Sequence, residues 1–548
     1  MNGRFDLPFQ TRRTVYGDVV GVDDTAGSGT YVWKGIPFAK PPVGELRWRA
    51  PVEPEAWAEP LATRAFGPAS AQFGLIHGPG LNNTCDATIG TSLFQPVGSE
   101  DCLYLNIWRP ATEARDLPVI FFIYGGANLS GYAADPMYDG AALARSVQAV
   151  VVTASYRLGV FGWLDLPQLK VGDGSVDDSG NFGTLDQIQT LRFIQGNIAA
   201  FGGDPGNVTV MGQSAGAIGL YALMTSPVVV GATPPLFHRA VLMSGGAALP
   251  SELPPGSLPT LMPASYFKAQ GQALLQALLR ADGAQPEGDG QIAAYLRGKA
   301  PSDILAQVVG KLTPARLGFT TPIPEGGVVP ESPLEAIRAG RYLKVPVLIG
   351  ATRDEAKLFP AFLALSPALG GVSGLAIGEA RRFALMMDFD AGASPPLTEK
   401  DLIHPAYLPV DAPVTGYDAR MRVLDQCFFT ANREAMLKAL QAQQADIWCY
   451  RFDWDREPAP WNIVYGAAHL FDLPFVFGNF GPSVFSKVLS SPANEGGRVA
   501  LSEAMMGAIG AFARQGDPNS AALGTAWPAW PRTLIFDATL THKKITVE

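Results

Sequence analysis

Short, continuous apolar runs set the rhythm of this chain. Residues 119–124, 150–156, 208–211, 240–243 and 345–349 are strand-sized, rich in β-branched side chains, and apolar at successive rather than alternating positions. A strand that is apolar on both faces must be covered on both, which marks a largely parallel sheet between layers of helix. Helical segments fall between the runs, one near residues 140–147 and a longer one near 184–200. The pattern predicts an α/β fold over residues 1–548 as a single domain. Two helical blocks interrupt it, at about 250–320 and 360–442. In the first, Phe267, Leu274, Leu275, Leu278 and Leu279 recur at helical spacing, and Ser302 is placed to cap a following helix. Inserted between late strands, such blocks are expected to form a lid that shapes a substrate pocket.

Composition narrows the class. Of the 548 residues, 47% are hydrophobic and only 17% charged, while Gly (60) and Pro (46) exceed average usage. This suits a compact enzyme with many fixed loops. The net charge of −9, without a long basic run, argues against nucleic acid as a partner. No apolar run approaches the roughly 20 residues of a membrane helix. The N-terminus, Met1-Asn2-Gly3-Arg4-Phe5-Asp6, has no apolar signal core. The expected compartment is the cytoplasm, or a secreted or periplasmic one if a leader has been removed. A small-molecule substrate and a monomer or small homo-oligomer are expected. Cys85 and Cys102 flank a loop rich in Gly, Ser and Thr, which reads as a disulfide clamp. Closing that loop would contribute about 3 kcal/mol. Cys427 and Cys449 are either a second pair or two buried thiols. No Cys pair has metal-binding CxxC spacing, and no metal or cofactor is expected.

The candidate chemistry centres on Gly212-Gln213-Ser214-Ala215-Gly216, which directly follows the β-prone Val208-Thr209-Val210-Met211. A strand running into a Ser flanked by small residues is what a nucleophile elbow requires, because the tight turn pushes the hydroxyl out over the sheet edge. A serine nucleophile needs a base, an acid to orient that base, and donors for the developing oxyanion. Among five His residues, His238 adjoins a strand and reads as structural, and His77, His404 and His542 lie in loops or at the tail. His469 stands out, on a small-residue loop before an apolar block. Asp354 and Glu355, just after the run at 345–349, compete for the acid, with Glu325 a distant third. The loop Tyr124-Gly125-Gly126-Ala127-Asn128 offers oxyanion donors together with the N–H of Ala215. The chain order Ser, acidic residue, His is that of the α/β-hydrolases.

With these residues in view, the chain resembles the type-B carboxylesterases, the cholinesterase-like branch of the α/β-hydrolases. The resemblance is carried by Trp33 to Gly44, by Glu100-Asp101-Cys102-Leu103-Tyr104-Leu105-Asn106-Ile107-Trp108, by Gly180 to Gln187, and by Phe201 to Gly216. It implies an α/β-hydrolase fold, with helices on both faces of the sheet and helical lid insertions. It also implies Ser214 as nucleophile, Glu355 as acid, His469 as base, and Gly126, Ala127 and Ala215 as oxyanion donors. Ser244 matches a supporting serine of the family, and Gln213 adjoins the nucleophile. The first family disulfide maps onto Cys85 and Cys102.

Three departures shape the expected substrate. Asn128 replaces an aromatic that normally helps wall the pocket. Gln213 stands where cholinesterases place an acid. The segment between Cys85 and Cys102 has Phe94 as its only aromatic and lacks the Trp with which cholinesterases capture choline. The bacterial carboxylesterases of the para-nitrobenzyl esterase kind are therefore the better match, and short-chain aryl or alkyl esters are the expected substrates. The competing readings are an inactive adhesion or binding member of the fold, and a lipase acting on aggregated lipid. Asn82, Asn128 and Asn207 begin glycosylation sequons; the second and third fall in the oxyanion loop and the elbow approach and read as accidental.

Overall fold

The computed structural model describes residues 9–81, 85–391 and 397–548; the sequon at Asn82 and the start of the chain lie outside them. Among the described residues the largest sheet has eleven strands. In chain order these are β1 (Val22–Asp24), β2 (Thr30–Pro37), β3 (Tyr104–Pro110), β4 (Leu117–Ile123), β5 (Val150–Ala154), β6 (Gly203–Gln213), β7 (Arg239–Met243), β8 (Val347–Thr352), β9 (Ile447–Phe452), β10 (Thr533–Ala538) and β11 (Lys543–Val547). Across the sheet they run β11-β10-β9-β8-β7-β6-β4-β5-β3-β2-β1. This is the α/β-hydrolase fold expected of the sequence.

From β5 across to β10 all pairings are parallel, and every residue of β4, β5 and β8 is buried. The sheet is more mixed than the apolar runs predict. Strands β1, β2 and β3 pair antiparallel with each other, β3 does so with β5, and β11 pairs antiparallel with β10. The reason lies in side-chain character. Strand β3 buries Asn106 and Arg109 among its apolar residues, and β11 alternates between half-buried and exposed, with Lys543 and Lys544 at the sheet edge. Such strands do not read as continuous apolar runs, and charge on the outermost strand protects an open edge.

The helices α1 (Ala141–Val147), α2 (Phe182–Asn197) and α3 (Ala215–Thr225) link the central strands. Two of the sequence motifs each supply the acid of a buried ion pair: Arg157 reaches Asp186 on α2 at 2.7 Å, and Arg47 reaches Glu100 at 2.5 Å. The first helical block contains α4 (Ala264–Asp282), α5 (Gly288–Arg297) and α6 (Pro301–Gln307). Its leucines point inward: Leu274, Leu275 and Leu278 are buried in a second apolar core with Val160, Phe161 and Ile304, while Leu279 packs on its margin. Ser302 does not cap α6; it lies within the first turn, behind Pro301, and Ala300 holds the cap position. Proline sits favourably in a first helical turn, which moves the helix start ahead of the serine. The second block holds one helix at Glu379–Met387 among shorter pieces, then α7 (Tyr417–Asp425), a five-residue π-helical turn at Gln426–Thr430, and α8 (Ala431–Gln441).

The disulfide expectation is corrected. All four cysteines are free thiols. Cys102 is fully buried among the groups of Ser70, Asp186 and Arg157, whereas Cys85 lies against the Pro482 carbonyl and Tyr132. The two side chains are packed into different surroundings, and burial pushes both thiols up to about 12. Cys427 is half-buried on the π-helical turn, and Cys449 is buried in β9; these are two thiols, not a second pair.

Candidate active site

Strand β6 ends at Gln213, and Ser214 turns the chain into α3 at φ 56° and ψ −122°. That conformation costs of order 1–3 kcal/mol for a residue with a side chain. It is held by the Ser214 N–H, which donates to the Met243 carbonyl at 2.8 Å, and by the start of α3, where Ala217 and Ile218 donate to the Ser214 carbonyl. The turn leaves no room beside it. A Cβ on Gly216 would stand 2.0 Å from the Ile123 carbonyl oxygen, so only glycine allows α3 to leave at this angle.

The Ser214 hydroxyl opens on a cavity of about 800 Å³ that is also lined by His469, Glu355, Gly126, Ala127 and Ala215. His469 Nδ1 and Glu355 Oε2 are 2.5 Å apart, both buried. The second oxygen of Glu355 accepts the Thr352 N–H at 2.8 Å. Burial alone would raise the Glu355 pKa. The facing His469 imidazole, the Thr352 N–H and the nearby Ser244 hydroxyl outweigh it and hold the carboxyl below its usual range. The carboxylate is thus available to hold an Nδ1–H.

On the other side of the ring, the Gln213 side-chain nitrogen stands 3.1 Å from His469 Nε2. With Nδ1 carrying the proton, Nε2 is an acceptor, and at rest the Gln213 amide donates to it.

Asp354, the competing acid, does something else. Its Oδ2 accepts from Arg353 at 2.7 Å and from the Ala467 N–H at 3.1 Å, and its own N–H donates to the Ala467 carbonyl. It splints the loop that carries His469. Glu325 is committed to its own turn, accepting the N–H groups of Gly327, Val328 and Val329. His238 accepts the Val208 N–H, His404 accepts that of Ala406, and His542 bonds Thr539. His77 does reach the cavity wall, where burial, helped by the charge of Arg382, holds its pKa down to about 4. Its loop setting gave no sign of this.

The loop after β4 presents its backbone to the same cavity. Gly126 has φ +106°, and a Cβ there would meet the Ser130 carbonyl oxygen at 2.0 Å. The N–H groups of Gly126, Ala127 and Ala215 donate no hydrogen bond among the described residues. Asn128 is left-handed at φ 58°, a conformation that Asn tolerates better than an aromatic residue. Its carbonyl accepts the Gly159 N–H at 2.7 Å, and its amide donates to the Thr320 carbonyl at 3.2 Å. Buried this way, Asn128 is not a glycosylation site; Asn207 is likewise engaged, by Arg239.

The aromatic wall comes from elsewhere in the chain. Phe359 and Phe429 pack on the His469 ring with centroids 5.1 and 5.0 Å away, and Phe362 and Phe428 extend the cluster. Two of these four sit on the π-helical turn, whose extra residue re-aims neighbouring side chains, as such turns often do at functional sites. Phe94 is half-exposed to solvent. Among the described residues no group of three His, Cys, Asp or Glu side chains gathers in a metal-binding arrangement, and no helix is long and apolar enough to cross a membrane.

Residues 9–545 match the model of the carboxylesterase family. The chain is 32% identical over 546 residues to a para-nitrobenzyl esterase of Bacillus subtilis strain 168, covering 98% of this chain and 96% of that protein. It is 33% identical to a fumonisin B1 esterase of Sphingopyxis macrogoltabida, over 96% of this chain and 86% of the relative. A solved PNB esterase superposes with a TM-score of 0.72 at 29% identity, covering 99% and 97% of the two chains.

Proposed function

The chain belongs to the carboxylesterase family and is a carboxylic ester hydrolase, and we propose that it works through an acyl-enzyme on Ser214, with His469 as base and Glu355 as its orienting acid. The observation that carries this reading is the 2.5 Å contact between His469 Nδ1 and Glu355 Oε2 at the wall of the cavity onto which Ser214 opens. Glu355 holds the proton on Nδ1, which leaves the Nε2 lone pair as the base. Gln213 occupies that lone pair at rest, so productive binding exchanges its amide for the Ser214 hydroxyl.

Ser214 Oγ then attacks the ester carbonyl while Nε2 takes its proton. The carbonyl oxygen gains negative charge, and the N–H groups of Gly126, Ala127 and Ala215 are free to receive it. Collapse expels the alcohol, protonated by the imidazolium. Water, deprotonated by the same Nε2, releases the acid and restores Ser214.

The phenylalanine wall and a volume of about 800 Å³ favour short-chain aryl or alkyl esters. The buried leucines of α4 support a soluble-ester substrate over aggregated lipid, because a lipase needs an apolar surface facing outward. An intact set of Ser214, His469 and Glu355 supports an enzyme over an inactive binding protein. A fluorophosphonate probe is expected to label wild type and not Ser214→Ala, and that variant is expected to lose hydrolysis of p-nitrophenyl esters. Full residual turnover by Ser214→Ala would overturn the mechanism. Interfacial activation on tributyrin, in place of a hyperbolic response to soluble esters, would restore the lipase reading.

A further inference from the structure

Four arginines touch the cavity, and they differ in how their charge is balanced. Arg353 is paired with Asp354 and Asp455 at 2.7 and 2.9 Å, and Arg451 with Asp453 and Glu548 at 2.6 and 3.1 Å. Arg316 stands exposed at the rim. Arg433, in the first turn of α8, is half-buried, and among the described residues its guanidinium has neither a hydrogen bond nor an ion pair. Its Nε is sealed from solvent without any partner.

Among the described residues no carboxylate stands within ion-pair distance of Arg433. Two nearby side chains that feel its charge are Tyr221 and Cys449, and burial keeps both neutral. Of the carboxyls that line the cavity, Glu355 is committed to His469. Asp425 accepts the Ala356 N–H at 2.7 Å, and burial holds its pKa up at about 8. The helical turn that carries Arg433 is anchored beside it. The preceding Asn432 is pinned on three sides, donating to the Leu258 and Phe428 carbonyls at 2.8 and 2.6 Å and accepting from Thr260 Oγ1 at 2.8 Å. Proteins rarely leave a partly buried guanidinium unmatched, because its desolvation is uncompensated until an anion arrives. An anion carried by the substrate can reach it, since Arg433 lines the same cavity as Ser214.

We propose that Arg433 is a specificity-determining residue that receives a carboxylate carried by the substrate, so that the preferred esters are acidic ones, such as hemiesters of dicarboxylic acids. This rests on the ester-hydrolase reading above and adds the charge of the substrate to it. A planar guanidinium suits a carboxylate better than an ammonium group does, because it offers paired donors in one plane.

The test compares p-nitrophenyl hemiglutarate with neutral p-nitrophenyl butyrate, and measures binding of the glutarate dianion to Ser214→Ala by calorimetry. Wild type is expected to show the higher kcat/KM on the hemiglutarate, with the preference shrinking as salt rises. Arg433→Gln is expected to lose at least about tenfold more kcat/KM on the acidic ester than on the neutral one, mostly through KM. Arg433→Lys is expected to retain part of the preference. Glutarate is expected to bind Ser214→Ala and to weaken at least about tenfold when Arg433→Gln is added. Equal losses on both esters, or glutarate binding indifferent to Arg433, overturn the assignment and leave ester hydrolysis standing. If wild type hydrolyses neither ester, the hydrolase reading for these substrates fails, and the glutarate isotherms alone decide the role of Arg433.

Discussion

Glu355 and Asp354 are chemically near-identical neighbours, and only their partners separate them. Glu355 meets His469 at 2.5 Å, while Asp354 is spent on Arg353 and the Ala467 N–H. Glu355→Gln is therefore expected to lower kcat by about 10⁴-fold, as when the orienting carboxylate of a triad becomes an amide. Asp354→Asn should instead lower the melting temperature and leave most of kcat in place. Steady-state kinetics and thermal melts on the two variants separate the roles; exchanged outcomes would make Asp354 the acid. Gln213 is the second telling residue. Its amide sits 3.1 Å from His469 Nε2 and carries no charge. Gln213→Glu would set a carboxylate against that nitrogen and favour the imidazolium, which cannot act as base. The acid limb of the pH–kcat/KM profile should move up by about one unit. A profile that keeps its shape would show that Gln213 does not face the working imidazole.

Two elements set the geometry of the candidate site, and both depend on tight backbone contacts. The elbow between β6 and α3 works because Gly216 lies against the Ile123 carbonyl. The candidate oxyanion loop is shaped by the consecutive positive φ angles of Gly126, Ala127 and Asn128, which turn successive N–H groups the same way. Asn128 ties that loop to the end of the first helical block through the Thr320 carbonyl. Asn128→Leu removes the tie and places a branched side chain in a left-handed conformation. It is expected to lower kcat by about tenfold or more with a smaller change in KM, since a shifted donor weakens transition-state binding before ground-state binding. An unchanged kcat would mean that the loop holds its shape without Asn128.

At the scale of the whole molecule, several carboxyls among the described residues are buried without forming an ion pair. Burial holds Asp425 at about 8 and Asp472, which accepts from the Tyr450 hydroxyl at 2.7 Å, at about 7. Both values lie above those of the unfolded chain. The stability these groups confer is therefore complete below about pH 4 and lost as pH rises through 7 and 8. Glu355 has the opposite sign: its pKa is lowered, so its share is present above the unfolded value and lost in acid. Asp425→Asn keeps the acceptor for the Ala356 N–H and removes the ionisation. Its urea midpoint should gain on wild type between pH 5 and 8.5, whereas parallel curves would show that Asp425 does not stay protonated.

The fold was legible in the sequence because burial on both faces leaves a local mark. Strands β4 to β8 each carry a short apolar run, and the glycines around Ser214 and after β4 record tight turns where they occur. Ser214, His469 and the oxyanion loop could be named from such local signals, and Glu355 was favoured over Asp354 only by resemblance. What the sequence did not carry were contacts made across long separations. The direction of the Asp354 and Glu355 side chains, the packing of Phe359 and Phe429 on His469, the solitude of Arg433, and the separate surroundings of Cys85 and Cys102 depend on how distant segments pack. A pattern along one strand or helix registers whether a residue is buried. It does not register which partner it meets there, because that is fixed only when the elements come together.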